Sequence, residues 1–314
     1  AGGAKSSEDS YANGALDLYM VSRLAENISF LGEVVFEKET RPGGEEESIV
    51  DVERLSLKYT VSDRLWIALG RHHTALGYWN EAFHHGLLLQ PTIDRPEGLK
   101  FEDFGGILPV HAVGVALGGR YFRGPWGLDY AGHVSNSRGL TPADVQNAAD
   151  VNDQKAITIR FSVSHEAEGR LLFGPMAHFD VVPPDPAAPG REGEMEERIL
   201  GAHLIYRNDS FEWMSEYYKV RHVDQLTGQE FEHPAYYAIG VWRAGKWKPY
   251  AALDRLDLDT ADLFYAGSAT PLKRYIAGIR WDLHPFNALK FEYRHDHRQG
   301  VRSDALVVQT SFTF

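Results

Sequence analysis

The feature that most constrains this chain is the alternation of apolar and polar side chains along many short segments. Residues 157–163 read Ile-Thr-Ile-Arg-Phe-Ser-Val, and residues 28–38, 49–61 and 170–180 alternate in the same way. Successive side chains of a β-strand point to opposite faces of its sheet. A period of two therefore indicates strands with one apolar face and one wet face.

About fifteen such segments follow one another, and short connections alternate with longer ones. Ser62-Asp63 is one of the short connections, whereas longer ones surround Gly86 and Gly300. This order is typical of an up-and-down meander with turns at one end and loops at the other. We therefore predict an all-β fold, namely a transmembrane antiparallel up-and-down β-barrel of about 16 strands (range about 14–16) with a long in-folded loop.

Composition separates such a barrel from other classes of protein. Mean hydropathy is −0.34, and no stretch approaches the roughly 18 uninterrupted apolar residues that a membrane-spanning helix needs. A barrel is hydrophilic on average because every second residue faces a wet interior. The formal net charge of −12 argues against nucleic acid as a partner, since neutralising phosphates requires a basic face. The chain contains no cysteine, which excludes disulfides and thiolate metal sites.

The same pattern runs from end to end, so we predict one domain. Residues 1–14 are small and polar and are expected to form a flexible lead-in, whereas residues 15–314 form the barrel. The opening residues Ala1-Gly2-Gly3-Ala4 suggest a mature N-terminus left after removal of a signal peptide. The acidic, proline-rich run from Pro183 to Glu197 is expected to be a solvated loop.

One connection is too long for a turn and too rich in aromatic, histidine and charged residues for a linker. It spans about residues 74–111, and loops of this length inside a compact fold are usually functional. We predict that it folds into the lumen and forms a pore constriction. The constriction residues would be Arg71, His72, His84, Asp94, Arg95, Glu97, Glu102 and Asp103. Alternatively, Asp94 and Arg95 pair with each other and hold the fold of the loop.

The polar positions of the strands predict the wall of the lumen. The charged wall residues in this assignment are Arg54, Lys58, Asp129, Arg160, Arg170, Glu212, Glu216, Arg280 and Arg294. Both signs of charge occur, so the wall is a mixed field. The acidic total predicts at most a mild preference for cations.

Two histidine-rich motifs raise the questions of metal binding and catalysis. The pairs His72-His73 and His84-His85 match no zinc-ligand spacing, and adjacent strand residues point to opposite faces, so we predict no metal and no cofactor. Residues 133–136, His-Val-Ser-Asn, resemble the His-x-Ser-Asn signature of outer-membrane phospholipases. In that family the active site faces lipid, whereas here the parity of Val134 places His133 and Ser135 in the lumen. We therefore predict that the chain is not an enzyme.

Aromatic residues gather near the predicted strand ends, as expected for girdles at the two membrane interfaces. They are Tyr59, Trp66, Trp126, Tyr130, Phe211, Trp213, Tyr237, Trp247, Trp281 and Phe286.

The last segment carries the most specific resemblance. Leu306, Val308, Thr310, Phe312 and Phe314 share one face, and the segment resembles the terminal strand by which the assembly machinery recognises bacterial outer-membrane proteins. Phe312 and Phe314 would carry that assembly signal.

The layout, together with residues 70–86 and 128–139, also resembles the phosphate-selective and related proteobacterial porins. The resemblance implies a porin of the Gram-negative outer membrane, a passive diffusion channel for small hydrophilic solutes or ions. Membrane lipids, lipopolysaccharide and the assembly machinery would be its partners, with a possible homotrimer. The alternatives are a barrel that sleeves a partner such as an electron carrier, an outer-membrane phospholipase-like enzyme, and a soluble β-protein that needs no detergent.

Overall fold

The computed structural model describes residues 15–40, 46–83, 86–100, 106–144 and 150–314. In these ranges fifteen antiparallel strands form one sheet, in which each strand is hydrogen-bonded to its sequence neighbours. The strands are β1 (Leu16–Ala25), β2 (Ile28–Thr40), β3 (Glu46–Ser62), β4 (Leu65–His73), β5 (His111–Arg123), β6 (Trp126–Asn136), β7 (Lys155–Glu166), β8 (Arg170–Val182), β9 (Met195–Arg207), β10 (Phe211–Asp224), β11 (Glu230–Trp242), β12 (Trp247–Leu256), β13 (Leu272–His284), β14 (Asn287–Arg298) and β15 (Val301–Phe312). The all-β up-and-down prediction is confirmed, and the strand count lies within the expected range.

Two short helices occur in the described part of the chain, both in the β4–β5 connection. They are α1 (Tyr78–Ala82) and a 3-10 helix (Glu97–Leu99). Neither has the length or the apolar character needed to cross a membrane. The predicted lead-in, residues 1–14, lies outside the described residues.

Short and long connections alternate as predicted, with one exception. The β14–β15 connection is only Gln299-Gly300, so the longer loop expected around Gly300 does not form. Both residues have positive φ, 49° and 80°, which is the backbone geometry of a tight hairpin turn. The strands β14 and β15 therefore stay paired up to Arg298 and Val301.

The sheet has two faces of different character. We call the face that contacts the described residues of the β4–β5 connection (74–83, 86–100 and 106–110) the inner face and the opposite one the outer face. On β7 the outer residues Ile157 and Ile159 are exposed, whereas Thr158 and Arg160 are buried on the inner face. The predicted row Leu55, Leu57 and Tyr59 is likewise exposed on the outer face. Exposed apolar rows on regular strands are the surface that a lipid-facing barrel presents.

Aromatic residues line the outer face at the end of the sheet that carries the short turns. Trp247 and Trp281 are cross-strand partners with stacked rings 4.8 Å apart, and the Trp126 ring lies 4.4 Å from that of His165. This girdle is where a membrane interface would place such rings. Two residues are exceptions to the predicted girdle. Tyr237 points inward on β11 and is buried. Trp66 shares the inner side of β4 with the buried Ala68, because Ile67 and Leu69 are the exposed outer residues of that strand.

Charged residues on the outer face mark the opposite limit of the apolar band, near the long connections. Lys219 and Glu232 pair at 2.7 Å across β10 and β11, and Arg221 pairs with Glu230 at 2.5 Å. The apolar band therefore lies between the aromatic girdle and this charged rim.

The inner face is not polar throughout. Along β8 to β13 it carries buried apolar residues such as Met214 and Ile239, which join Leu76, Trp79 and Leu99 of the β4–β5 connection in one cluster. The expectation of a wet interior is therefore wrong for this half of the sheet. The physical reason is that the connection covers the inner face there and removes it from water.

Candidate functional site on the inner face

Residues 74–110 connect β4 to β5, and hydrogen bonds join the two ends of this connection where it leaves and rejoins the sheet. The Thr74 amide donates to the Val110 carbonyl at 2.6 Å, and the Thr74 hydroxyl donates to the Pro109 carbonyl at 2.6 Å. The Asn80 amide donates to the Thr74 carbonyl at 2.9 Å. These bonds fix where the connection emerges, and the Trp79 ring then packs edge-on against Tyr237 with ring centres 5.6 Å apart.

Glu216 on β10 anchors the beginning of α1. Its carboxylate accepts hydrogen bonds from the amides of Tyr78 and Trp79, at 2.6 and 2.8 Å. The hydroxyls of Tyr218 and Tyr237 also donate to it, at 2.9 and 2.5 Å. Gly77 precedes α1 with φ 84°, and a Cβ there would overlap the Tyr218 hydroxyl. The approach of the connection to this wall therefore requires a glycine.

Lys290 on β14 anchors the middle of the connection. This buried ammonium donates to the carbonyls of Leu87 and Thr92, at 2.7 and 2.9 Å. Arg280 on β13 adds a bond of 3.0 Å to the Gln90 carbonyl and pairs with Asp282 at 2.6 Å. Cations of the wall thus satisfy carbonyls that the irregular backbone leaves without strand partners.

Two wall carboxylates bind the following backbone amides in the same way. Glu292 on β14 accepts from the Ile93 amide at 2.5 Å, and Asp254 on β12 accepts from the Glu97 amide at 2.7 Å. The connection is therefore attached to strands from β10 to β14.

Three predicted constriction residues lie near each other in this second half. Asp94 pairs with Arg294 at 2.5 Å and with Lys100 at 3.7 Å. Burial alone would raise the pKa of Asp94, but Lys100 and Arg294 outweigh it and lower that pKa below its ordinary value. Glu97 is buried between Arg298 and Arg274, and Arg95 is half-buried.

The other described constriction candidates lie where the connection leaves the sheet. Arg71 is buried; its guanidinium donates to the Glu53 carbonyl at 3.0 Å and lies 2.9 Å from Nδ1 of His111. The His72 ring lies 5.9 Å from that of His133. His84, Glu102 and Asp103 are outside the described residues, as is His85.

The inner face near the short turns keeps a cavity of about 260 Å³. Its lining includes Glu81 of α1 together with Arg120, Asp129, Arg160 and Arg170. Arg160 pairs with Glu81 at 2.5 Å and with Asp129 at 3.1 Å. Charges of both signs therefore face this space.

The remaining predicted wall residues also point to the inner face and have partners there. Arg54 pairs with Glu33, and the Lys58 ammonium lies 4.7 Å from the centre of the Trp66 ring. Glu212 lies 3.7 Å from Arg207.

Sequence reasoning missed a second polar network, which ties two long connections to the inner face. Arg138 of the β6–β7 connection pairs with Glu197 at 2.6 Å. Asp262 of the β12–β13 connection lies 2.6 Å from His222 and 2.8 Å from His233. Burial alone would raise the pKa of Asp262, but its hydrogen bonds to both imidazoles lower it.

Glu197 itself contradicts the expectation that residues 183–197 form a solvated loop. Strand β9 begins at Met195, and Glu197 is fully buried on its inner face. The sequence of a charged segment does not show which of its carboxylates pairs with a buried arginine.

The phospholipase-like motif has the orientation that strand parity predicted. His133 and Ser135 are buried and Val134 is exposed on the outer face. The Ser135 hydroxyl donates to the Asn136 carbonyl at 3.1 Å. On the last strand, Phe312 is exposed on the outer face and Phe314 lies beyond the strand, 93% exposed.

The fold is similar to that of several solved outer-membrane proteins. An anion-selective porin from Comamonas acidovorans shares 10% sequence identity, with a TM-score of 0.59, over 95% of this chain and 85% of the porin. The outer-membrane channel DcaP of Acinetobacter baumannii shares 11%, with a TM-score of 0.59, over 96% of this chain and 84% of DcaP. The trimer form of in-vitro folded OmpT, an outer-membrane protein of Vibrio cholerae, shares 11%, with a TM-score of 0.55, over 95% of this chain and 86% of OmpT.

These likenesses show a common fold at low sequence identity. No protein-family model matches the chain, and no curated protein has a matching sequence. The chain thus has the β-barrel fold of Gram-negative outer-membrane porins, as predicted, and the narrower resemblance to phosphate-selective porins stays a prediction.

Proposed function

We propose that this protein is a passive diffusion channel of the bacterial outer membrane for small hydrophilic solutes or ions. The observation that supports the proposal is a porin-like sheet whose inner face is partly covered by one of its own connections. In this proposal residues 74–110 fold into the lumen. Their attachment to β10, β12, β13 and β14 holds the connection at a fixed distance from the opposite wall, which is the property a constriction needs.

The polar cavity beneath α1 supports an aqueous path past the connection. Glu81 is 39% exposed and Arg120 is 68% exposed, so charges of both signs meet water where the path opens toward the short turns. We propose that the entrance selects weakly between anions and cations, because opposite charges at close range cancel much of each other's field.

The charged residues of the inner face have different parts in this channel. Glu216, Lys290 and Arg280 bind the backbone of the connection and affect the pore by fixing the position of that connection. Arg120, Arg170 and Asp129 line the cavity and act on passing solutes directly.

A sleeve for another protein is the weaker alternative. A threaded partner needs the space beside the inner face, and the connection already packs there against β8 to β13. We further propose membrane lipids, lipopolysaccharide and the assembly machinery as partners. A homotrimer is consistent with the trimer form described for OmpT of Vibrio cholerae.

Removing residues 82–99 tests the constriction directly. We expect the single-channel conductance in planar bilayers to rise, because the deletion takes away the half of the connection bound by Lys290 and Glu292. Removing residues 226–228, part of the exposed β10–β11 connection, is the matched control and should leave the conductance unchanged. An unchanged conductance in the first variant would remove the connection from the ion path.

A single substitution tests the path without removing the connection. The protein contains no cysteine, so Glu81→Cys introduces a single site for a charged thiol reagent. We expect the reagent to reduce the current through Glu81→Cys and to leave Leu226→Cys unaffected. If both variants conduct normally after complete labelling, the cavity lies outside the path.

A further inference from the structure

Three side chains on β8 and β9 converge behind the β6–β7 connection. His178 and Asp180 are two positions apart on β8 and therefore share the inner face, and Glu197 is the cross-strand partner of Asp180 on β9. Nε2 of His178 lies 3.6 Å from Oε1 of Glu197 and 3.8 Å from Oδ2 of Asp180. All three side chains are more than 95% buried.

Two atoms of this triad lack a hydrogen-bond partner among the described residues. They are Nε2 of His178 and Oε1 of Glu197, which are the two atoms that point toward each other. The remaining polar atoms are engaged: Oε2 of Glu197 accepts from Arg138 at 2.6 Å, and Oδ2 of Asp180 accepts from the Arg138 amide at 2.8 Å. Buried polar atoms are rarely left without a partner, so a buried nitrogen and a buried oxygen that face each other are candidate ligand atoms.

The spacing distinguishes this triad from the other buried histidine–carboxylate groups in the described part of the chain. Zinc binds nitrogen and oxygen at roughly 2.0–2.2 Å, which places neighbouring ligand atoms about 3.4 Å apart. His222 and His233 lie 2.6 and 2.8 Å from Oδ2 of Asp262, and Nε2 of His111 lies 2.5 Å from Glu53. Those contacts have hydrogen-bond lengths, whereas the separations at His178 suit an ion between the atoms.

A partner on the other side of the His178 ring prepares it for such a role. Nδ1 of His178 lies 2.8 Å from the Thr158 hydroxyl on β7. When Nδ1–H donates to this hydroxyl, the lone pair of Nε2 points toward the two carboxylates. Metal-binding histidines generally have their second nitrogen held in this way.

We propose that His178, Asp180 and Glu197 bind a first-row divalent cation of the zinc class, for which imidazole and carboxylate are suitable ligands. The cation joins β8 to β9 beneath Arg138 and stabilises the end of the sheet that carries the long connections. The site goes beyond solute passage and does not depend on it.

Zinc content tests the site in the full-length protein folded in detergent. The chain is stripped with a chelator, incubated with zinc, passed through a desalting column and measured by elemental mass spectrometry. We expect the wild type to retain stoichiometric zinc and to melt at a higher temperature than the stripped protein. His178→Ala should lose both the retained zinc and the zinc-dependent shift in melting temperature.

His203→Ala is the matched control. His203 is also buried on the inner face, and its Nε2 is likewise bonded to a hydroxyl, that of Ser162 at 3.0 Å. This variant should retain zinc like the wild type. Asp180→Asn is a second test variant in case His178→Ala fails to fold. It keeps an oxygen acceptor for the Arg138 amide and should lose the retained zinc. Absence of zinc from the wild type, or equal retention in Asp180→Asn, would overturn the proposal. Neither result would bear on conductance.

Discussion

At the scale of single residues, several buried charges of the inner face bind backbone groups. A lone charge buried away from water is costly unless charged or polar partners compensate for it. Glu216, Lys290 and Glu292 each bind amides or carbonyls of the β4–β5 connection. Because charge-assisted hydrogen bonds are the stronger ones, these few residues can hold an irregular segment in place.

Glu216 provides the sharpest test of this anchoring. Glu216→Ala removes the acceptor of four donors, and each hydrogen bond to a charged group contributes about 1.5–3 kcal/mol. We expect the free energy of unfolding, measured by denaturant titration in micelles, to fall by roughly 3 kcal/mol or more. Glu212→Ala on the same strand should cost less than about 1 kcal/mol, since its partner Arg207 lies 3.7 Å away and has a side chain that is 54% exposed. Equal losses would contradict the anchoring role.

Asp94 is expected to keep its negative charge in mildly acidic solution. Its pKa is lowered from the ordinary 3.8 by Lys100 and Arg294, against the effect of burial. A lowered pKa means that the carboxylate stays ionised as the pH falls toward 3.8. Asp94→Asn should therefore shift the reversal potential toward anion selectivity, and the difference from the wild type should be the same at pH 7 as at about pH 4.5.

The control for this prediction is a loop carboxylate away from the connection. Asp144 accepts from the Thr141 amide at 2.9 Å in an exposed turn, and Asp144→Asn should leave the reversal potential unchanged. A difference between Asp94→Asn and the wild type that disappears on going from pH 7 to about pH 4.5 would show that Asp94 titrates above its ordinary range.

At the scale of elements, the strands were predictable because their signal is local. Alternation such as that of residues 157–163 depends only on neighbouring positions, and each predicted segment corresponds to a strand. β11 shows where this signal weakens: its inner positions Tyr237, Ile239 and Val241 are as apolar as an outer row, because the connection covers them. The short turn at Gln299-Gly300 depends on two positive φ angles. A positive φ is uncommon for glutamine, so the residue type at position 299 did not predict this turn.

The β4–β5 connection could be singled out from the sequence as the candidate site, but its contacts could not be predicted. The length and composition of the β4–β5 connection pointed to the inner face. Which wall residue binds which backbone group depends on contacts between positions far apart in the chain, such as Tyr78 with Glu216. The buried pair of Arg138 and Glu197 is of the same kind, since the sequence around either residue does not indicate that the other is its partner.

At the scale of the whole molecule, the outer face carries three zones that together define a membrane position. The girdle with Trp247 and Trp281 lies at the short turns, the apolar band follows, and the charged rim with Lys219 and Arg221 lies at the long connections. Exposed apolar rows of this extent are unfavourable in water. In a bilayer the same rows contact hydrocarbon, and the irregular backbone of the long connections lies outside it.

Substitutions at two exposed leucines distinguish a membrane barrel from a water-soluble one. Leu204 lies in the apolar band on β9 and is 43% exposed, whereas Leu226 lies in the β10–β11 connection and is 71% exposed. Arginine costs about 2–4 kcal/mol at the middle of a bilayer and about 0–1 kcal/mol near its interfaces. In lipid vesicles Leu204→Arg, inside the apolar band, should therefore lower the free energy of unfolding by more than about 1 kcal/mol, and Leu226→Arg should cost about 0–1 kcal/mol. In a water-soluble barrel both substitutions would be mild, because an exposed leucine makes few contacts. Equal, small costs measured by tryptophan fluorescence in denaturant would therefore place the apolar band in water and exclude the channel.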